Sequence, residues 1–162
     1  MEIEKKFLVK QLPDELERFE KKEIEQGYLC SGPIVRIRKS NDDYILTYKS
    51  KKGVTERLEK LAKVCHEVEL PLTRESYEHL REKADGQMIT KTRYLIPLSK
   101  DHTAELDVFH NQLEGLVIVE VEFLDEKAIH HFTAPHWFGE EVSHDHRYGN
   151  SYLSKINNLM DL

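Results

Sequence analysis

Charged side chains recur two residues apart along this chain, and each set is dominated by one sign. The acidic sets are Glu2/Glu4, Glu67/Glu69, Glu105/Asp107 and Glu120/Glu122; the basic ones are Arg36/Arg38 and Lys91/Arg93, with Lys6 continuing the first acidic pair and Lys49 standing apart. Arginine offers planar forks suited to phosphate oxygens, and lysine adds compact cations. Carboxylates in excess of these bases would repel phosphate, unless a hard divalent cation such as Mg²⁺ or Mn²⁺ bridges acid and phosphate oxygens. A polyphosphate together with a metal ion is therefore the simplest ligand that uses both sets.

A spacing of two is the side-chain period of a β-strand, so each pair marks one face of one strand. The residues between are mostly apolar: Ile3, Ile37, Val68, Leu106 and Val121, with Thr92 the exception. Like charges on one face repel unless opposite charge lies across from them. Closing about eight antiparallel strands into a barrel would gather alternate residues in a lumen wide enough for a small ligand. Charges buried dry cost several kcal/mol each, so that lumen must be wet or filled by an ionic ligand.

The supporting elements follow from apolar runs and turn residues. Strands are expected over 3–9, 24–31, 34–40, 43–50, 66–70, 88–97, 103–109 and 116–123, with Gly32-Pro33 and Asn41-Asp42-Asp43 as turns. Pro13-Asp14 opens a predicted helix through Lys22, Thr73 caps another reaching about Ala84, and short helices are expected from Asp125 and after Asn150. Residues 53–64 carry no clear pattern. Leu153, Ile156 and Leu159 give the C-terminal stretch an apolar side that would plug or pack on the barrel. The class is α+β.

Length and composition fit this picture. A chain of 162 residues, 33% charged and 39% hydrophobic, is expected to fold as one domain over 1–162. A net charge of -6 argues against nucleic acid as a partner. No apolar run suits a bilayer, no secretory signal precedes the first strand, and two cysteines without metal-ligand spacing suit a reduced cytoplasmic protein. His130, His131, His136, His144 and His146 fit no zinc-ligand spacing and are expected in solvent. Oligomeric state is not encoded in any of these features.

The chain resembles the CYTH or triphosphate tunnel metalloenzyme family, and the small bacterial inorganic triphosphatases within it. Glu2-Ile3-Glu4-Lys5-Lys6 looks like that family's Glu-x-Glu-x-Lys signature. In the family's order there follow Gln26 to Leu29, Val35-Arg36-Ile37-Arg38, Leu46 to Lys49, Glu67-Val68-Glu69, Lys91-Thr92-Arg93-Tyr94, Glu105 to Phe109 and Glu120-Val121-Glu122-Phe123. Asp145, Tyr148, Asn150 and Leu153 match its closing motif. The resemblance implies an eight-stranded antiparallel β-barrel with flanking helices, forming a tunnel for a small-molecule triphosphate. It implies that Lys6, Arg36, Arg38, Lys49, Arg57, Lys91 and Arg93 bind the phosphates. By the same resemblance Glu2, Glu4, Asp107, Glu120 and Glu122 hold Mg²⁺ or Mn²⁺, and Glu2, Glu4 and Lys6 form the catalytic set. Glu67, Glu69 and Glu105 are additional lumen acids. One departure stands out: residues 58–66 intervene between Arg57 of a Gly-x-x-x-Arg turn and the strand of Glu67 and Glu69.

The expected reaction is in-line attack of water on the terminal phosphorus, with no covalent nucleophile. The short hairpin from Gln26 to Arg38 resembles that of the small bacterial tripolyphosphatases rather than the longer region of the cyclases, and this likeness makes inorganic tripolyphosphate the expected substrate. The alternatives are a thiamine or nucleoside triphosphatase, a class IV adenylate cyclase, or a non-catalytic polyphosphate-binding module.

Overall fold

A computed structural model of the chain describes residues 1–99 and 101–162. Alternation of apolar and charged residues produces eight strands that close antiparallel into a barrel: β1 (Glu2–Val9), β2 (Glu20–Ser31), β3 (Ile34–Ser40), β4 (Asp43–Ser50), β5 (Lys63–Pro71), β6 (Asp85–Pro97), β7 (Thr103–Phe109) and β8 (Val117–Glu122). Their order is β5-β4-β3-β2-β6-β7-β8-β1, and β1 meets β5 to complete the circle. One edge of β1 runs along β8; the other is divided, with Glu2 to Glu4 on β5 and the Phe7 to Val9 end on a ninth strand, β9 (Phe138–Glu141). Four short helices decorate the barrel: α1 (Glu56–Leu61), α2 (Arg74–Arg81), α3 (Glu126–His131) and α4 (Asn150–Leu153).

The barrel is polar within and greasy on part of its outside. Ile3, Phe7, Val64, Tyr94, Leu106, Val119 and Val121 form one core on the outward faces, covered by α1, α3 and the segment running into β9. A second core lies at one end of the barrel, where Ile89, Phe109 and Ile118 share the strand faces of Lys91, Asp107 and Glu120. The inward stripe thus changes from ionic to apolar, and Leu153 and Ile156 of the C-terminal stretch plug that end. Gly86, at φ +66°, lets the plug backbone approach β6, where the Gln87 amide donates to the Ser154 carbonyl at 2.7 Å.

Several predicted boundaries move for one reason. The helix predicted through Lys22 is a single 3₁₀ turn, Leu16–Arg18, because Glu20 to Glu23 pair instead with Leu95 to Thr92 of β6. The second helix ends at Arg81 and β6 already begins at Asp85. The strand expected to start at His66 starts at Lys63, because Lys63 to Cys65 pair with β1. Ladder hydrogen bonds from a neighbour extend strands into polar sequence that has little β-propensity of its own. Residues 53–64, without pattern in the sequence, hold α1, whose Thr55 side chain accepts from the Leu58 amide. The ninth strand was not anticipated.

Candidate active site

A cavity of about 810 Å³ occupies the barrel. Alternation delivers Glu2, Glu4 and Lys6 of β1 into it, with Arg36 and Arg38 of β3 and Lys49 of β4. From the far side come Arg93, Glu105, Glu120 and Glu122, and from β5 Glu67 and Glu69. The insertion before β5 therefore does not turn Glu67 and Glu69 away from the lumen.

The register sets the electrostatics. Glu4 stands opposite Glu122, Lys6 opposite Glu120, and Glu105 opposite Glu120. The two acid–acid rungs, Glu4 with Glu122 and Glu105 with Glu120, are unfavourable. Burial, then Glu120 and Glu2, push the Glu4 carboxyl up to about 8. Burial, followed by Glu105, Glu2 and Glu67, raises Glu122 to about 7, and burial also raises Glu105. Glu120 goes the other way: burial would raise it, but Lys6 at 3.6 Å and Arg93 at 3.8 Å hold it well below the carboxylate range.

The bases divide into two kinds. Lys49 reaches Glu2 at 2.9 Å and Glu67 at 3.4 Å, and Arg93 reaches Glu105 at 2.9 Å as well as Asp107. Among the described residues Arg36 and Arg38 have no carboxylate within salt-bridge distance: Arg36 donates to the Thr47 hydroxyl at 3.1 Å, and Arg38 to the Gln26 side-chain carbonyl at 2.9 Å. The Arg36 Nε is buried without any partner. Burial, then Arg36 and Arg93, hold the Arg38 guanidinium below its usual range. Two guanidiniums without acids have donors that an anion could take.

Three expected placements are corrected. Asp107, assigned to the metal set, is fully buried outside the cavity lining, its oxygens taken by Arg93 Nε and Nη2 at 2.7 and 2.9 Å and Lys91 Nζ at 2.7 Å. Burial alone would raise its carboxyl, but Arg93 and Lys91 keep it below the usual range. Lys91, assigned to the phosphates, is sealed with it; burial pushes its ammonium down to about 7 even against Asp107. Arg57 lies outside the barrel on α1, 77% exposed, where it forks onto Glu126 of α3.

Lys63 and Cys65 were missed, and Asn150 was matched to the closing motif without a place in the site; all three line the cavity. Lys63 and Cys65 share the parity of Glu67 and Glu69, so the period of two, carried back past His66, would have found them. Asn150 comes from the plug, and its Oδ1 is buried without a partner.

The acid-rich wall suits a divalent cation in its donor chemistry. Glu2, Glu4, Glu105, Glu120 and Glu122 present hard oxygens, and the raised Glu4 and Glu122 record a shortage of positive charge. Among the described residues no three acidic, histidine or cysteine side chains already converge on one point, since Lys6, Lys49 and Arg93 hold several of those oxygens. The histidines likewise form no metal cluster.

No protein-family model matches the sequence. The chain is 39% identical to an inorganic triphosphatase of Nitrosomonas europaea over 157 residues, covering 94% of this chain and 96% of that protein. It is also 39% identical to an inorganic triphosphatase of Acetivibrio thermocellus over 157 residues, covering 95% and 93%. The crystal structure of the inorganic triphosphatase NE1496 superposes with a TM-score of 0.69 at 35% identity, covering 98% of this chain and 97% of that one. A Hippeastrum protein, described as a putative adenylyl cyclase with a dominant triphosphatase activity, shares the fold at TM-score 0.58 and 14% identity, over 80% and 83% of the two chains.

Proposed function

The chain belongs to the triphosphate tunnel metalloenzymes, alongside the inorganic triphosphatases, and from that premise we propose that it hydrolyses inorganic tripolyphosphate with Mg²⁺ or Mn²⁺. One observation carries the reading. Arg36 and Arg38 stand without acids in the same lumen whose other wall crowds carboxylates without enough bases. An anion alone would meet the acids, and a cation alone would meet the arginines; a metal-bound triphosphate satisfies both.

Arg36 and Arg38 bind phosphoryl oxygens with donors that no acid occupies. Lys6, fixed by the Tyr148 carbonyl at 2.9 Å and by Glu120, and Lys49, fixed by Glu2, offset charge as it builds on the reacting phosphoryl group. Glu2, Glu4, Glu120 and Glu122 would hold the divalent ion, which supplies neutralisation of phosphate charge and a more acidic bound water. Asp107 acts one layer behind, locking the Arg93 fork that faces the lumen. Water is the nucleophile, since positioning and electrostatics suffice for phosphoanhydride cleavage.

Among the described residues no helix is long and apolar enough to cross a membrane; the two free cysteines suit a reducing compartment such as the cytoplasm. Phosphate release from tripolyphosphate, ATP and thiamine triphosphate, each with Mg²⁺, Mn²⁺ or EDTA, tests the reading. Fastest release from tripolyphosphate that stops in EDTA is expected. Binding without turnover would instead mark a polyphosphate-binding module, and a preference for either organic triphosphate would replace the substrate.

A further inference from the structure

We propose that Lys63 is a further phosphate-contacting residue of the tunnel, gripping the triphosphate where the acidic wall is densest. The assignment rests on the triphosphatase reading and adds to it a residue outside the recognised motifs. Lys63 opens β5 directly opposite Glu4 in the ladder, and alternation along β5 points it inward with Cys65, Glu67 and Glu69. The charges that act on it are Lys6 first, then Glu4, Glu120 and Lys49.

Every lumen base named so far is held by a protein partner: Lys6 by Tyr148 and Glu120, Lys49 by Glu2 and Glu67, Arg93 by three acids, and even Arg36 and Arg38 by one neutral oxygen each. Among the described residues Lys63 has neither a hydrogen bond nor an ion pair from its ammonium, although Glu4 shares its rung. Two ammonium groups facing one cavity repel, and an anion between Lys6 and Lys63 turns that repulsion into attraction. A flexible four-carbon stem with three free donors can follow phosphate oxygens.

The fold supplies a reason for the placement. Arg57, the base of the Gly-x-x-x-Arg turn that precedes residues 58–66, is engaged outside with Glu126. The segment after it continues α1, buries Ala62 and Val64 in the outer core, and returns to the barrel at Lys63. These residues thus give the lumen a base that Arg57 does not supply.

Titration of tripolyphosphate into the metal-chelated full chain, paired with steady-state phosphate release in Mg²⁺, tests this on Lys63→Met, Lys63→Gln and Lys63→Arg. A lost charge-assisted contact predicts that Met and Gln weaken tripolyphosphate binding and lower kcat/KM by about 10- to 100-fold. Arg should stay within about threefold of the wild type, as a charge contact requires, and melting temperatures should stay close to wild type in all three. Binding by Lys63→Met and Lys63→Gln as tight as wild type overturns the proposal. So does a failure of Lys63→Arg that tracks a lowered melting temperature, which marks a packing role. A wild-type chain that neither binds nor hydrolyses tripolyphosphate sinks the triphosphatase reading itself, whereas an active wild type with indifferent variants sinks only Lys63.

Discussion

Arg36/Arg38 on β3 and Lys91/Arg93 on β6 are the same motif in sequence, two bases flanking one residue, yet the fold gives them opposite fates. The β6 pair faces Asp107, which stands opposite Arg93 in the ladder and binds both bases. The β3 pair faces Gln26, Tyr28, Ile45 and Thr47 on its two neighbouring strands, none of them an acid. Cross-strand neighbours, rather than the bases themselves, decide whether a cation becomes a structural rivet or an open hand for a ligand. The β6 pair spends part of its charge holding the barrel together, and the β3 pair keeps all of its charge for an anion.

Substitutions can push each pair toward the other's state. Asp107→Asn would leave the buried Lys91 without an acid and Arg93 with only Glu105 and Glu120; about 3–5 kcal/mol of stability should be lost, seen as a lower denaturant midpoint. An unchanged midpoint would show that Asp107 is not the rivet. Arg38→Ala should leave stability near wild type, since it also removes repulsion from Arg36 and Arg93, while turnover falls ~10²–10³-fold. Turnover near wild type would undo the assignment of the β3 pair.

The acids offer the same contrast in mirror image. Glu4 lacks a paired base where Glu120 has two, so Glu4→Gln should abolish metal stimulation yet raise the melting temperature of the metal-free chain at pH 7 by several degrees. A lower melting temperature would refute the crowding. The sign in pH follows from the raised carboxyls: the ordinary value is 4.5, and Glu4 and Glu122 sit at about 8 and about 7, so folding retains their protons longer than the unfolded chain does. Metal-free stability should therefore decline from pH about 5 to 7, and Mg²⁺ or Mn²⁺ should restore more of it at the upper end. Lys91, at about 7, works in the opposite direction above that point, so the lower window is the informative one. Calorimetry across that range, with and without metal, checks both statements. The smallest effect belongs to Arg57→Ala: an exposed fork to Glu126 is worth about 1 kcal/mol or less, and turnover should not change.

Much of this site was legible before any coordinates. A period of two is geometry, so Glu2/Glu4, Arg36/Arg38, Glu67/Glu69 and Glu120/Glu122 had to share strand faces once they were strands. The turns at Gly32-Pro33 and Asn41 to Asp43 carried their own conformational signals, and so did the caps at Thr73 and Asp125. Lys63 was hidden because a lone base four residues before Glu67 forms no pair, and its end of β5 is a strand only through pairing with β1. Arg57 misled because a turn motif says nothing of the partner, Glu126, that lies 69 residues away.

The sequence by itself determined which residues face inward together, because alternation is a local property of the extended backbone. It thereby determined the charges available to the lumen and the class of ligand they suit. Tertiary structure decided which of those charges remain unspent. Asp107 lies opposite Arg93 and no acid lies opposite Arg36 or Arg38, and register between strands depends on the whole barrel closing. Coulomb energy in a buried lumen turns on a few ångströms between side chains that the chain order keeps far apart.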